Sequence, residues 1–324
     1  MKEFGGYLEL EHYHGIEYHN TAISLNTARN CLRYLIKKYS IKEILLPKYL
    51  CSCLLDVCFE EKVKVNFYSI DEKFKPRIDE IEKKLSVDAY VYIINFYGQL
   101  DNEDISNFSN VYNNLIIDNV QSFFLKPINK IDTIYTCRKY FGVPDGAYLY
   151  TGNEHIKDLK IDISYNRMNF LLGRFEKNGK EFFNDFHNNE KILDKEKIKL
   201  MSNTTHNILR SIDYENVISV RKRNFKILDE NLKMKNSLQI KNEAGLFLYP
   251  LLINNGKLIK KKLILNKVYV PTFWPGVEKL VDERSFERKL FDDLVLLPFD
   301  QRYDEKDMNI ILERLFKILK EVNL

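Results

Sequence analysis

The chain has 324 residues, of which 45% are hydrophobic and 13% aromatic, and its 50 basic and 46 acidic side chains leave a net charge of +4. This length and composition exclude a disordered chain and predict a globular protein with enough core for one large or two medium domains. The nearly balanced charge gives no indication of a nucleic-acid partner.

The cysteines and the apolar runs bear on the compartment. Five cysteines are present, an odd number whose spacing matches no zinc pattern, so we expect buried free thiols in a reducing compartment. The start of the chain lacks the apolar stretch of a signal peptide, and no apolar run is long enough to span a membrane. These features predict a soluble, cytoplasmic protein without a membrane partner.

Residues 1–20 are interrupted by Gly5, Gly6 and Gly15, which favour an arm or a short hairpin over a core helix. The segment holds three histidines, but we expect no metal site there. Residues 1–20 are therefore predicted to form an N-terminal arm.

The first periodic element begins near Asn26. Leu25, Leu32 and Ile36 recur at helical spacing, and Asn26 or Thr27 is a suitable N-cap. A helix N-terminus offers free backbone N–H groups and the positive end of the helix dipole, which suit a phosphate group. The alternative is that these residues serve only as an ordinary cap.

Strands and helices then alternate along the chain. The continuous apolar run at 89–97 is typical of a strand covered on both faces. The alternation predicts an α/β fold with a mostly parallel sheet and helices on both faces. Ligands of such sheets bind beyond the strand ends, where Asn95, Asp118 and Lys139 lie. The patterns predict strands at 43–46, 63–68, 89–97, 115–118, 134–136 and 147–150, and helices near 78–85 and 104–111.

Two charged side chains follow apolar runs in this region. Asp118 ends the run Leu115–Ile117, and Lys139 follows the short stretch Ile134–Thr136. One use of such a pair is to bind pyridoxal phosphate (PLP): the lysine bonds to the aldehyde, and the acid pairs with the protonated pyridine nitrogen, so that the ring acts as an electron sink. The alternative is an ordinary loop lysine and a solvated acid at a strand end.

The second half of the chain predicts a small α/β lobe. Its patterns indicate a charged surface helix with loops at 176–197, a long helix at 208–234 that joins the lobes, strands at 246–253, 268–270 and 294–297, and a last helix, capped by Asp304 or Asp307, that runs to 322. The predicted organisation is an arm at 1–20, a large domain at 21–207 and a small C-terminal domain at 208–324.

Two loops of this lobe carry candidate binding residues. Trp274 is the only tryptophan of the chain, and Arg302 lies in the loop Pro298–Tyr303. An exposed aromatic side chain can stack on a sugar ring, and an arginine can bind a carboxylate or phosphate through two hydrogen bonds. The alternatives are a tryptophan packed between the lobes and an arginine in a salt bridge.

These segments, taken in order, resemble the DegT/StrS-type sugar aminotransferases, a family of fold-type-I PLP-dependent enzymes. The family carries an acid-x-x-Gln, matched by Asp118 and Gln121, and a lysine followed at a fixed distance by Asp-Gly-Gly. Lys139 and Asp145–Ala147 match the second pattern, except that alanine replaces the last glycine. The resemblance covers almost the whole chain, which is short for the family, and it implies a fold-type-I architecture with a small C-terminal lobe.

The resemblance also implies roles at a PLP site. Lys139 would hold the cofactor and act as the general base, Asp118 would keep the pyridine nitrogen protonated, and Gln121 would bond near the phenolic oxygen. Asn26, Thr27 and Ala28 would surround the phosphate, and Asn166 would reach the phosphate bound by a partner subunit. Thr136 stands in place of the family's serine near the lysine. Cys51 stands in place of the residue that stacks on the ring, with Tyr49 as the alternative.

The same resemblance implies a homodimer with shared active sites and two small-molecule substrates, an amino donor such as glutamate and a nucleotide-linked keto sugar. The candidate substrate-binding residues are Tyr7, Tyr97, Arg167, Trp274 and Arg302. Three alternatives stay open: other PLP chemistry, amination of a small non-nucleotide ketone, or a non-catalytic scaffold of the same fold. Lys139 argues against the relatives that lack the lysine and act as dehydratases.

Overall fold

The computed structural model describes residues 4–152, 156–241 and 245–322. A seven-stranded sheet forms its centre, with the strand order β1-β7-β6-β5-β4-β2-β3. The pairs from β3 to β6 are parallel, whereas β7 pairs antiparallel with both β6 and β1. The strands are β1 Ile23–Leu25, β2 Glu43–Pro47, β3 Lys64–Tyr68, β4 Tyr90–Ile94, β5 Leu115–Asp118, β6 Asp132–Thr136 and β7 Ala147–Tyr150.

Helices flank this sheet and continue into the C-terminal half. The described helices are α1 Ala28–Tyr39, α2 Ser52–Glu60, α3 Ile78–Glu82, α4 Asn102–Val111, α5 Asn169–Glu176, α6 Phe183–Lys195, α7 Asn203–Arg210, α8 Tyr214–Leu232, α9 Gly256–Leu265, α10 Phe286–Asp293 and α11 Glu305–Glu321. Single turns of 3₁₀ helix lie at Phe96–Gly98, Tyr165–Arg167 and Val277–Lys279. No described helix has the length and apolar character needed to cross a membrane.

The central strands form because their side chains are apolar on both faces. All four residues of β5 are buried, as are the last four of β4. A parallel strand covered on both faces requires such a continuous apolar run. The predicted fold class, a mostly parallel sheet with helices, is confirmed.

A second, two-stranded antiparallel sheet lies in the C-terminal half. It pairs β8 (Tyr249–Leu252) with β9 (Leu294–Leu297), and apolar side chains of α8, α9 and α11 share a core with it. The last helix begins where predicted, because Asp304 accepts a hydrogen bond from the backbone N–H of Asp307 in a capping box. The domain boundaries at 20 and 207 stay a prediction.

Two predicted elements were wrong. The segment 268–270 is not a strand: Val268 and Val270 are buried, but no described strand pairs with them, so their apolar character serves packing alone. The long helix at 208–234 is divided, since α7 ends at Arg210 and α8 begins after Asp213. The Asp213 carboxylate caps α8 by accepting from the backbone N–H of Asn216, which stabilises a new helix start.

The turn that precedes β7 depends on one glycine. Gly146 has φ +117°, and a Cβ there would lie 3.0 Å from Thr205 and 3.2 Å from Met201. Its N–H donates to the carbonyl of Asn26 at 2.7 Å, which ties the turn to the start of α1. The turn therefore needs both the left-handed conformation and the absence of a side chain.

We expect Gly146→Ala to lower the free energy of unfolding by about 1–3 kcal/mol, because it adds backbone strain in a tightly packed place. Gly142→Ala in the same turn is the control, since its Cβ would meet only Leu171, at an ordinary 3.6 Å. Urea unfolding of both variants measures the difference. Equal midpoints for the two variants would contradict this explanation of the turn.

Candidate active site

The carboxylate of Asp118 and the amine of Lys139 lie at one edge of the central sheet. Asp118 ends β5, Lys139 follows β6, and the two strands are parallel neighbours. Asp118 is buried and accepts hydrogen bonds from the Tyr92 hydroxyl at 2.7 Å and from the Val120 N–H at 2.9 Å. Burial raises the pKa of Asp118, and the nearby charge of Lys139 opposes this rise. The predicted pair is thus close enough to interact.

Lys139 lies in surroundings that favour its neutral form. Burial lowers the pKa of Lys139, while the charge of Asp118 opposes the shift. The ammonium nitrogen lies 5.6 Å from the centre of the Phe247 ring. Within the described residues it has no hydrogen bond and no ion pair. A lowered pKa increases the share of neutral amine at a given pH, which suits a nucleophile or a general base.

Gln121 presents a free donor in the same region. Its side-chain oxygen accepts from the backbone N–H of Tyr97 at 3.0 Å, whereas its amide nitrogen is buried and has no partner among the described residues. An unsatisfied buried donor is costly, so a ligand acceptor is expected there. Tyr97 itself is fully buried, and its hydroxyl contacts that of Tyr49 at 3.3 Å.

The N-terminus of α1 is capped where the sequence predicted. Thr27 accepts a hydrogen bond from the backbone N–H of Asn30 at 3.1 Å. The amide of Asn26 donates to the Lys197 carbonyl and accepts from the side chain of Asn30. Both predicted side chains are therefore engaged within the chain. The backbone N–H groups of Ala28 and its neighbour at the helix start are the groups that suit an anion.

Cys51 and Thr136 occupy two further predicted positions. Cys51 precedes α2, and its interaction with the Cys53 thiol lowers its pKa to about 6, with the charges of Lys139 and Arg29 acting in the same direction. Cys51 is thus near Lys139. Thr136, the last residue of β6, donates from its hydroxyl to the Gly146 carbonyl at 3.4 Å.

A cavity of about 740 Å³ opens beside Lys139. Its wall includes Arg138, Lys139 and Arg302, together with phenylalanines of α5 and α6 and the loop between them. Asp118, Gln121, Thr27 and Cys51 are not part of this wall. Lys139 is therefore the residue through which the buried cofactor-site candidates meet the cavity.

The candidate substrate residues are spread more widely. Arg302 lines the cavity but is held by Asp300 through two hydrogen bonds of 2.6 and 2.7 Å, so its pKa is raised. Trp274 packs with its ring centre 4.9 Å from that of Tyr49, between the two halves of the chain. Arg302 is therefore in a salt bridge and Trp274 is packed between the lobes, which are the two alternatives to ligand binding.

Three other candidates lie away from Lys139 or are engaged elsewhere. Tyr7 is 99% exposed in the N-terminal arm, and Asn166 is exposed in the turn before α5. Arg167 is buried and donates to Asp162 at 2.7 Å. Tyr7 and Asn166 therefore make no described contact with the residues around Lys139.

Solved structures of three aminotransferases are similar in fold to most of this chain. Spr1654 from Streptococcus pneumoniae, in its PMP form, has 12% sequence identity and a TM-score of 0.68 over 93% of this chain and 88% of its own. A DegT DnrJ EryC1 StrS aminotransferase from Brucella abortus has 12% identity and a TM-score of 0.62 over 92% and 85%. The sugar aminotransferase CalS13 from Micromonospora echinospora has 10% identity and a TM-score of 0.65 over 92% and 87%.

The chain has the fold of these aminotransferases. The resemblance that the sequence motifs indicated is confirmed for the fold, and the match extends over most of both chains. No protein-family model and no curated protein sequence matches the chain. The likeness is therefore visible in the structure and in a few ordered motifs, and not in overall sequence identity.

Three residues around the site were not predicted from the sequence motifs. Tyr92 hydrogen bonds to Asp118, and its own pKa is raised well above the usual value by burial and by that carboxylate, so it stays a donor. Arg29 and Arg138 flank the start of α1 and Lys139. Their positions beside Thr27 and Lys139 in the sequence were the available signal.

Asp145, the acid of the Asp-Gly pair, has a structural role. Its buried carboxylate accepts from the Ser202 N–H at 2.9 Å, from the Ser202 hydroxyl at 2.7 Å, and from Thr205. These contacts attach the turn after Lys139 to the start of α7. The motif residue thus positions the lysine-bearing segment from outside the site.

Proposed function

We propose that the protein is a PLP-dependent aminotransferase that moves an amine, with glutamate as the donor, to a keto sugar linked to a nucleotide. The observation that carries this proposal is the unpartnered Lys139, whose pKa is lowered, beside the buried Asp118 at the strand ends of an aminotransferase fold. Spr1654, which has this fold, has been solved in PLP and PMP forms.

The residues present fit the cofactor. The buried amide nitrogen of Gln121 lacks an acceptor in the described structure, which suits an oxygen on the edge of a ring. The buried carboxylate of Asp118 suits a protonated ring nitrogen, and the N-terminus of α1 suits a phosphate. Cys51 or Tyr49 would border the ring. Among the described residues Lys139 has no competing hydrogen bond or ion pair, so its amine is available to the aldehyde.

Each residue would then have a distinct task. When bound, PLP supplies an aldehyde that takes up the amine and a ring that acts as an electron sink. The amine of Lys139 moves a proton from the α-carbon of the donor, as a general base of lowered pKa. Asp118 holds a proton on the ring nitrogen, and Tyr92 and the Val120 N–H orient its carboxylate.

Apolar exposed side chains support a homodimer with shared sites. Ile163, Leu172, Phe175 and Phe183 are more than half exposed around the segment that carries Asn166. Large apolar side chains exposed in one part of the chain are typical of a subunit interface. In the proposed dimer, Asn166 and the N-terminal arm of one subunit complete the site of the other. All five cysteines are free, which supports a cytoplasmic location.

An amine-transfer assay tests the proposal. We expect the protein purified with PLP to release at most one equivalent of 2-oxoglutarate per site from glutamate alone, and to turn over glutamate repeatedly only when a nucleotide-linked keto sugar is present. Mass spectrometry of the sugar product should show the exchange of oxygen for nitrogen. Amination of small ketones alone would identify a different acceptor class. No transfer to any ketone, with PLP bound, would favour other PLP chemistry.

A further inference from the structure

Three arginines meet near the start of α1 and Lys139. Arg29 lies in the first turn of α1, Arg138 directly precedes Lys139, and Arg167 lies in the turn before α5. Burial, followed by the charge of Arg29 and with a further contribution from Arg167, lowers the pKa of Arg138 to about 10. The guanidinium group of Arg138 is therefore near enough to those of Arg29 and Arg167 to be repelled by each.

Each guanidinium group is held from one side by a carboxylate. Arg29 pairs with Asp194 at 2.6 Å through Nη1, and Arg138 pairs with Glu190 through Nη2. Arg167 pairs with Asp162 at 2.7 Å through Nη2. Glu190 and Asp194 are four residues apart on α6, so one helix face positions both Arg29 and Arg138.

Arg29 also interacts with the side chain of Cys53, but one donor atom of each of the three groups lacks a partner. The Nε atoms of Arg29, Arg138 and Arg167 are buried and have no hydrogen bond within the described residues. An unsatisfied buried donor on a charged group is costly, and such donors on Arg138 and on the two arginines near it indicate an absent acceptor with several negatively charged oxygens. A phosphate group has this chemistry.

We propose that Arg29 and Arg138, positioned by the carboxylates of α6, bind a phosphate group at the N-terminus of α1, and that this phosphate is the cofactor's. The proposal rests on the proposed function. Arg138 is adjacent to Lys139 and lines the same cavity, while Arg29 is two residues from Thr27. A ligand bonded to Lys139 therefore has its phosphate within reach of both arginines and of the free N–H groups of α1. The hydroxyl of Thr27 accepts from the backbone N–H of Asn30, which leaves its O–H able to donate to the phosphate, and the arginines would add charged donors.

The test compares PLP with pyridoxal, which lacks the phosphate. Binding of each is followed by absorbance for the native protein, Arg29→Gln and Arg138→Gln. We expect each variant to bind PLP about 10- to 100-fold more weakly, as for the loss of a hydrogen bond between charged groups, and to bind pyridoxal as the native protein does. Arg288→Gln is the control, because Arg288 forms a similar pair with Asp292 on α10.

A double variant separates the loss of phosphate binding from the effect of an unpaired buried charge. Arg29→Gln combined with Asp194→Asn removes both charges of the pair, so a folded double variant should show the same loss of PLP affinity. Equal losses of PLP and pyridoxal affinity, or no loss, would overturn the proposal and leave the proposed function intact.

Inorganic phosphate, followed by calorimetry, probes the anion site without the ring. If the native protein binds phosphate and uridine diphosphate through these arginines but does not bind PLP, the proposed function fails. The phosphate would then belong to a nucleotide, and the assignment to the cofactor would be overturned. If no phosphate-bearing probe binds, both proposals fail.

Discussion

Lys139→Ala should reduce amine transfer about a thousand-fold or more, since a positioned general base contributes about 10²–10⁴-fold and this lysine also bonds to the cofactor. The fold should be kept, because the amine of Lys139 has no hydrogen bond or ion pair in the described structure. Steady-state rates with glutamate as donor measure the effect, and circular dichroism checks the fold.

Two further variants make this result specific. Lys126→Ala removes another lysine whose pKa burial lowers, but its amine lies 3.7 Å from the centre of the Tyr18 ring, so we expect little change in rate. Lys139→Arg keeps the charge but cannot give up its proton, and it should be as inactive as the alanine variant. A Lys139→Ala protein within ten-fold of the native rate would contradict the role of this residue.

Asp118→Asn should lower turnover by about 10²–10³-fold, as is typical when a buried electrostatic partner of the reacting group is removed. The amide oxygen can still accept from the Val120 N–H, and the amide NH2 group can donate to the Tyr92 hydroxyl in place of the bond that the second carboxylate oxygen accepted, so the loss should not reflect unfolding. The charge of Asp118 also holds the pKa of Lys139 up against burial. Its removal should lower that pKa further, so in the variant the amine keeps its neutral form to a lower pH.

The reactivity of Lys139 with an amine reagent, measured against pH in the cofactor-free protein, tests whether the pKa of Lys139 falls in Asp118→Asn. Asp132→Asn is the matched control: burial also raises the pKa of Asp132, but this residue lies at the opposite end of β6 and contacts Tyr39. A control variant as inactive as Asp118→Asn, or a raised pKa of Lys139 in Asp118→Asn, would count against the assigned pairing.

The sequence predicted the centre of the fold because its signals are local. The apolar runs that end in Asp118 and precede Lys139 predicted parallel strands, and parallel neighbours bring their carboxyl ends to one edge. The cap at Thr27 was also a local signal. Segment 268–270 failed because a short apolar run does not specify whether it pairs or only packs.

The arginines of the site could not be predicted in the same way. The pairs Arg29–Asp194 and Arg138–Glu190 join residues far apart in the chain, and they depend on how α6 packs over the sheet edge. The salt bridge of Arg302 could be predicted, because its partner Asp300 lies only two residues away in the chain. Periodicity and motif spacing specify elements and strand ends, but not which distant charges meet.

The most direct test of the central claim is the visible absorption spectrum of the protein purified with PLP, recorded before and after addition of glutamate, beside Lys139→Ala. We expect a band from the lysine–cofactor adduct that is absent in the variant and is lost when glutamate is added. Borohydride reduction followed by peptide mass spectrometry should place the adduct on Lys139. A native protein that shows no such band, or an adduct on another lysine, would contradict the account.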